Sequence, residues 1–306
     1  MRVVLTGATG LIGRALIGAL RDRGDEVVAL SRDERRAREV LGAGVEARVW
    51  ANPTQEPAPE AGLAGADAVV HLLGEPVAQR WTDQSKTAIR NSRVAGTRNL
   101  VAGLLALAPE RRPATLVSQS ASGYYGPRKD EALAEDAPAG TDFLAEVVVA
   151  WEREALAAAT ELRVALTRTG VVLAEGGGAL AKMLPFFRLG IGGPVAGGRQ
   201  YVPWIHLDDV VGAMLLCLDD AQASGPVNLA APNPATNAEL SRTLGHVLKR
   251  PAVLPVPAVA LKVLYGDMAQ IVTTGQRLVP ARLEQLGYAF RHPELDAALR
   301  DVLGRG

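Results

Sequence analysis

Val3-Val4-Leu5-Thr6-Gly7-Ala8-Thr9-Gly10-Leu11-Ile12-Gly13 is the stretch that decides the fold. Its short apolar run, closed by a glycine, reads as a strand buried on both faces, because such a strand needs no polar alternation. From Leu11 the period changes. Leu11, Ile12, Ala15, Leu16, Ala19 and Leu20 share a helical face, and Gly24 stops the run. Glu26 to Ser31 (EVVALS) is the next strand. The whole is a strand–turn–helix–strand unit with glycines spaced G-x-x-G-x-x-G. Gly7, Gly10 and Gly13 allow a tight turn and close approach of backbone to a pyrophosphate. The helix start, with Thr9, Leu11 and Ile12 around it, supplies amide donors and a partial positive charge.

Outward from this unit the two periods keep alternating. A charged helix runs from Asp33 to Leu41, and a short strand lies around Val45 to Trp50. Prolines 53, 57 and 59 make a loop of 52–60, and Ala68 to Leu73 is a further buried strand. A long helix is expected over 85–107, a fifth strand over Thr115 to Ser118, a helix over 143–160 and a strand over Leu162 to Thr167. Apolar strands separated by helices predict an α/β fold with a doubly wound parallel sheet, covered on both sides.

The second half loses that rhythm. Eight glycines between Gly176 and Gly198 suggest loops that move over a site. Gly190-Ile191-Gly192-Gly193 and Gly197-Gly198-Arg199 read as a lid, with Arg199 available to an anionic substrate. Helices are expected over 207–218, 236–248 and 258–265, with short ones after Pro280 and Pro293, and Pro251 to Pro257 as an extended connector. The division that follows is a dinucleotide-binding domain over 1–165 and a smaller, mainly helical substrate lobe over 166–306, with at least one segment of the lobe returning to the sheet.

Composition narrows the function. The 306 residues carry 33 basic and 33 acidic side chains, so there is no long-range attraction to nucleic acid or to an anionic membrane. An apolar fraction of 48% with 22% charged residues excludes wholesale disorder. The single Cys217 fits a reducing compartment. No separate signal-peptide regions precede the first strand, and no apolar run has membrane-spanning length. A cytoplasmic protein acting on a small molecule is the expectation.

The end of the second strand discriminates between cofactors. An acid there suits the ribose hydroxyls of NAD, a basic group the 2′-phosphate of NADP. The strand ends Leu30-Ser31-Arg32: Ser31 can donate to phosphate and Arg32 can form a paired hydrogen bond. Asp33 follows and is free, on sequence alone, to serve a ribose. NADP(H) is favoured over NAD(H).

Thr6-Gly7-Ala8-Thr9-Gly10-Leu11-Ile12-Gly13 resembles the opening of the extended short-chain dehydrogenase/reductase and sugar-nucleotide epimerase/dehydratase superfamily. Arg80-Trp81-Thr82, Ser92-Arg93, Gly96-Thr97, the run Ser120 to Gly126, Trp151-Glu152 and Trp204-Ile205-His206 are similar to an atypical "epimerase family" subgroup within it. So are Gly266-Asp267, Leu286-Gly287-Tyr288 and Ala297-Ala298-Leu299 near the C-terminus. The resemblance implies a Rossmann-like domain binding NADP(H), with Leu72, Leu73 and Gly74 along the dinucleotide and Val171 beside the nicotinamide. It also puts Arg93 where related chains carry an asparagine near the cofactor, so that an arginine there is placed to reach a phosphate.

The same resemblance implies a serine or threonine, a tyrosine, and a lysine four residues after the tyrosine. Here Phe143 and Val147 take the places of the tyrosine and lysine, and Ala121 that of the hydroxyl. Phenyl has no proton to exchange and valine no charge. Ser120, Ser122 and Tyr124 are the remaining catalytic candidates. His71, His206, His246 and His292 lack paired ligand spacing, so no metal site is expected. The Asp208-Asp209 pair reads as a helix cap, and Lys182 as a solvated helix residue. Two functions remain: an NADP(H)-dependent oxidoreductase or epimerase-like protein with a non-standard acid, and a non-catalytic NADP(H)-binding regulator acting through a protein partner. The helices over 85–107 and 143–160 are the surfaces that would pair in a homodimer.

Overall fold

A computed structural model describes residues 1–304. Seven parallel strands form one sheet: β1 (Arg2–Thr6), β2 (Glu26–Ser31), β3 (Glu46–Val49), β4 (Ala68–His71), β5 (Thr115–Ala121), β6 (Arg163–Thr169) and β7 (Gly225–Leu229). Their spatial order is β3-β2-β1-β4-β5-β6-β7, with Val4 opposite Val28 on one side and Val69 on the other. The strand order reverses at β1, and the crevice at the carboxyl ends of β1 and β4 is where such sheets bind ligands.

Residues alternate between two cores. Val3, Leu5, Val27 and Val70 face α1 (Leu11–Asp22) and the helix Leu207–Asp219, meeting Leu16, Leu20, Met214 and Cys217. Val4, Val28, Val69 and Leu116 face the opposite layer, meeting Leu100 and Leu104 of the helix Asp83–Ala106 and Ala155 of the helix Phe143–Leu156. Those last two helices pack on each other within the chain and are tied by Arg98 and Glu154 at 2.7 Å. Burial pushes the Cys217 thiol up to about 12 and keeps it inert.

The boundary drawn at 165/166 falls inside β6, and β7 is the segment of the second half that rejoins the sheet. The rest of that half has its own core of Leu173, Leu180, Leu184, Phe187, Trp204, Leu240, Leu244 and Leu299. It includes a parallel pair, Val171–Leu173 against Trp204–His206, too short to be read from periodicity. Among the described residues no helix is long and apolar enough to cross a membrane.

Part of the glycine-rich segment is closely packed, while Gly176 and Gly197 stand in open space. A Cβ on Gly193 would collide with the Leu254 carbonyl, and one on Gly192 would fall 2.6 Å from the Phe187 ring. The connector 251–256 lies against these glycines, with Val256 donating to the Pro194 carbonyl at 2.9 Å. They are there for close packing, and Arg199 lies exposed beside them.

Candidate cofactor cleft and its apolar neighbour

The turn after β1 is built to bring backbone close to backbone. Gly7 has φ +66°, and a Cβ on it would strike the Leu72 carbonyl at the end of β4. A Cβ on Gly13 would lie 2.6 Å from the Gly7 oxygen, so glycine lets α1 start directly over the turn. Gly10 donates to the Gly7 carbonyl at 3.0 Å and stands at the N-cap of α1. No side chain caps this helix and its first turn holds no acid, so the amides at its start are open to an anion.

A buried relay fixes the two strand ends. Thr6 Oγ1 accepts the Leu72 N–H at 3.1 Å and lies 2.7 Å from His71 Nδ1, while His71 Nε2 lies 2.9 Å from Thr97 Oγ1. Burial pushes the His71 imidazolium down to about 3, so the ring is neutral and links β1, β4 and the helix Asp83–Ala106 without charge.

A cleft of about 580 Å³ runs from the end of β2 across this turn to Gly74. It is lined by Gly7, Thr9, Gly10, Ser31, Arg32, Leu72, Leu73 and Gly74 of the sequence-predicted set, together with Asp33, Arg36, Trp50 and Pro53. Leu11, Ile12 and Gly13 begin α1 behind the lining. Arg93 and Val171 are not part of it. Val171 instead pairs with Trp204, its N–H donating to the Pro203 carbonyl at 2.7 Å.

At the β2 end, Asp33 is committed to a cap. Its carboxylate accepts the Arg36 N–H at 3.0 Å at the start of α2 (Glu34–Leu41). Arg32 and Arg36 both reach the cleft, both are exposed, and neither has a carboxylate partner among the described residues. Arg36 was missed in the sequence. Its signal was position: four residues after Arg32, in the first turn of the helix that leaves the cofactor-selecting strand.

Of the catalytic candidates, Ser120 is withdrawn. Its hydroxyl donates to Glu152 Oε1 at 2.6 Å, and the residue is 1% exposed, sealed from any substrate. Glu152 takes two further hydrogen bonds from Arg168, at 2.8 and 2.9 Å. Burial works against the Arg168 charge, but the Glu152 carboxylate more than offsets it and holds the guanidinium above its usual range. Arg168 also donates to the Tyr125 hydroxyl at 2.9 Å, which donates to Asn228 at 2.6 Å. Burial pushes the Tyr125 phenol up to about 12, so it stays protonated.

Tyr124 and Ser122 lie above this network, each half-buried and neither hydroxyl hydrogen-bonded among the described residues. The Arg168 guanidinium carbon sits 3.4 Å from the Tyr124 ring centroid, which fixes the ring and leaves its hydroxyl unengaged. Phe143 packs edge-on against Trp81 at 5.2 Å, and Val147 is fully buried. The positions of the absent tyrosine and lysine are therefore apolar wall. Lys182 is exposed, and its ammonium also donates to the Ala78 carbonyl in the loop after β4.

The fold also gathers His206, Asp208, His292 and Asp301, with one ligand-type atom from each within 4.8 Å of the others. His206, rather than the aspartate pair, caps the helix Leu207–Asp219: its Nδ1 accepts the Asp208 N–H at 3.1 Å. Its buried Nε2 lies 3.2 Å from an Asp301 carboxylate oxygen and makes no hydrogen bond among the described residues. Asp209 is buried and accepts N–H bonds from Arg291 at 2.7 Å and His292 at 3.0 Å. The cluster is a clasp that holds the C-terminal segment to the lobe.

Comparisons with known proteins agree with this geometry. The profile of the "NAD dependent epimerase/dehydratase family" matches residues 3–230, and that of a "Domain of unknown function (DUF1731)" matches residues 256–302. The chain is 40% identical over 310 residues to "Epimerase family protein SDR39U1 homolog, chloroplastic" of Arabidopsis thaliana, covering 99% of this chain and 87% of that one. It is 36% identical over 308 residues to the Homo sapiens "Epimerase family protein SDR39U1", covering 99% and 100%. The crystal structure of human SDR39U1 (isoform 2) with NADPH matches over 100% of both chains, with a TM-score of 0.89 and 34% identity.

Proposed function

The chain belongs to the NAD-dependent epimerase/dehydratase family, and from that premise we propose that it is an NADP(H)-dependent oxidoreductase acting on a small molecule with a non-standard proton donor. One observation carries the reading. The cleft joins uncapped helix amides at one end of β1 to Ser31, Arg32 and Arg36 at the end of β2, while the only acid there, Asp33, is held by its own helix. A pyrophosphate suits the first site and a 2′-phosphate the second.

Bound NADPH would supply a hydride, and the protein's part is to orient the acceptor and move a proton. Tyr124 is our candidate for that proton and Ser122 for a second hydroxyl toward the acceptor oxygen. The Ser120–Glu152–Arg168 network beneath them acts by holding the loop in place. The test is turnover: purified protein with NADPH against a broad carbonyl panel and cell extract, followed by loss of reduced cofactor. Turnover that falls in Tyr124→Phe supports the reading; tight NADPH binding with no turnover across the whole set overturns it.

A second reading rests on Ala121, Phe143 and Val147, which leave the usual acid/base positions without a titratable group. On that reading the protein reports the state of NADP(H) to a protein partner. Partner capture that depends on the nucleotide favours it, and equal capture with and without nucleotide counts against it.

A further inference from the structure

Arg168 is buried and Arg93 is half-buried, and the two are treated differently. Arg168 is clamped by Glu152. Arg93, on the helix Asp83–Ala106, has no ion pair among the described residues. Its Nη1 donates to two carbonyls, Glu75 at 3.0 Å and Ile89 at 3.3 Å, while its Nε and Nη2 donate to nothing among those residues. Burial pulls this guanidinium down to about 10, with the charge of Glu75 working in the other direction. A cation that is partly desolvated and makes no ion pair is costly to hold.

Its position says what its free donors are placed to meet. Nη2 lies 3.1 Å from the point a Cβ on Gly74 would occupy, at the far end of the cofactor cleft. The helix that carries Arg93 crosses from β4 to β5, away from β2 and toward the Ser122–Tyr124 loop. The phosphates of the dinucleotide are already provided for, by the α1 amides and by Ser31, Arg32 and Arg36, and Arg93 does not line their cleft. Beside it, 5.3 Å from the guanidinium carbon, lies the Trp151 ring, whose buried Nε1–H also has no acceptor. Two free guanidinium nitrogens thus stand beside Gly74, next to the Trp151 ring.

We propose that Arg93 is the receptor for an oxyanion of the substrate, a carboxylate or phosphate, bound beyond Gly74 next to the cofactor. The assignment rests on the NADP(H) reading above and adds a substrate class to it: a molecule with an anionic group, held by a charge-assisted hydrogen bond from Nη2 or Nε. It also moves Arg93 out of the set of residues expected to meet the cofactor's own phosphates.

The experiment uses the full chain saturated with NADP+, so that its phosphate sites are filled, and follows melting temperature as inorganic phosphate or acetate is added. Wild type is expected to gain stability with millimolar anion, Arg93→Lys to keep part of the gain and Arg93→Met to lose it. Without anion, Arg93→Met is expected to melt at or above wild type, because an uncompensated charge has been removed. An anion response that survives in Arg93→Met, or is absent from wild type, overturns the proposal. So does a lower melting point in Arg93→Met without anion, which would make the arginine a purely structural tie to Glu75. NADP+ affinity is measured in parallel. A tenfold loss in Arg93→Met assigns the guanidinium to the cofactor and overturns the proposal, whereas failure of wild type to bind NADP+ at all overturns the underlying reading instead.

Discussion

Asp33 accepts a hydrogen bond from the backbone N–H of Arg36, 3.0 Å away, and this contact engages the one acid that lines the cleft at the end of β2 as a helix cap, among the described residues. An acid at that place is what a ribose hydroxyl requires. Here it is an N-cap, and the two arginines on either side of the cap line the cleft beside it with no carboxylate partner among the described residues. Asp33→Ala should therefore lower stability by about 1 kcal/mol, the usual worth of such a cap. NADPH affinity should stay within about twofold of wild type. Urea denaturation and a nucleotide titration check the two halves.

Gly7→Ala should fail on both counts. The substitution forces φ +66° on a residue with a Cβ and drives that Cβ into the Leu72 carbonyl. A loss of about 2 kcal/mol or more is expected, together with loss of NADPH binding, since the turn and the end of β4 must separate. Gly24→Ala, also at positive φ but in open space, should cost less and leave binding intact.

The buried network under Tyr124 is expected to behave as a unit. Arg168→Met leaves the Glu152 carboxylate buried and unpaired and should cost about 3–5 kcal/mol. Ser120→Ala removes one hydrogen bond to the same carboxylate and should cost about 1–2 kcal/mol. The double variant Arg168→Met with Glu152→Gln should recover part of the larger loss. Full additivity of the Arg168→Met and Glu152→Gln costs in the double variant would contradict the network.

How much of this was legible in the sequence follows the range of the interactions. The β1–α1–β2 unit was readable because Val3, Leu16 and Val27 carry their own periodicity and the glycines mark its turn. The short pair Val171–Leu173 and Trp204–His206 was not, because three residues give no period and its register depends on segments far apart in the chain. The failure of the acid/base pattern at Phe143 and Val147 was visible by position alone. That Ser120 serves Glu152, 32 positions on, was not: a hydroxyl at a strand end looks the same whether it faces substrate or a buried carboxylate. The glycine count suggests mobile loops, whereas Gly192 and Gly193 are packed on Phe187 and Leu254, and a composition signal does not distinguish the two.

His71 gives a pH prediction with a definite sign. Its folded pKa is depressed to about 3, against 6.5 when exposed. The unfolded chain therefore binds a proton that the native ring refuses anywhere between those values. The stability contribution is whole above about pH 6.5 and is lost as pH falls toward 3, by about 1.4 kcal/mol per pH unit in the middle of the window. His71→Asn should start less stable at pH 7, through poorer bonding to Thr6 and Thr97. It should then lose stability less steeply below pH 6. Denaturation of both proteins at several pH values checks the difference in slope.

The claim that this is an NADP(H) site, selected by Ser31, Arg32 and Arg36, is tested most directly by titrating wild type, Arg32→Ala and Arg36→Ala with NADPH and with NADH, following nicotinamide fluorescence. Wild type should prefer NADPH. Each substitution should remove roughly 1.5–3 kcal/mol, about ten- to a hundredfold, from NADPH affinity and leave NADH affinity unchanged. Equal losses for both nucleotides, or wild-type binding that favours NADH, would contradict it.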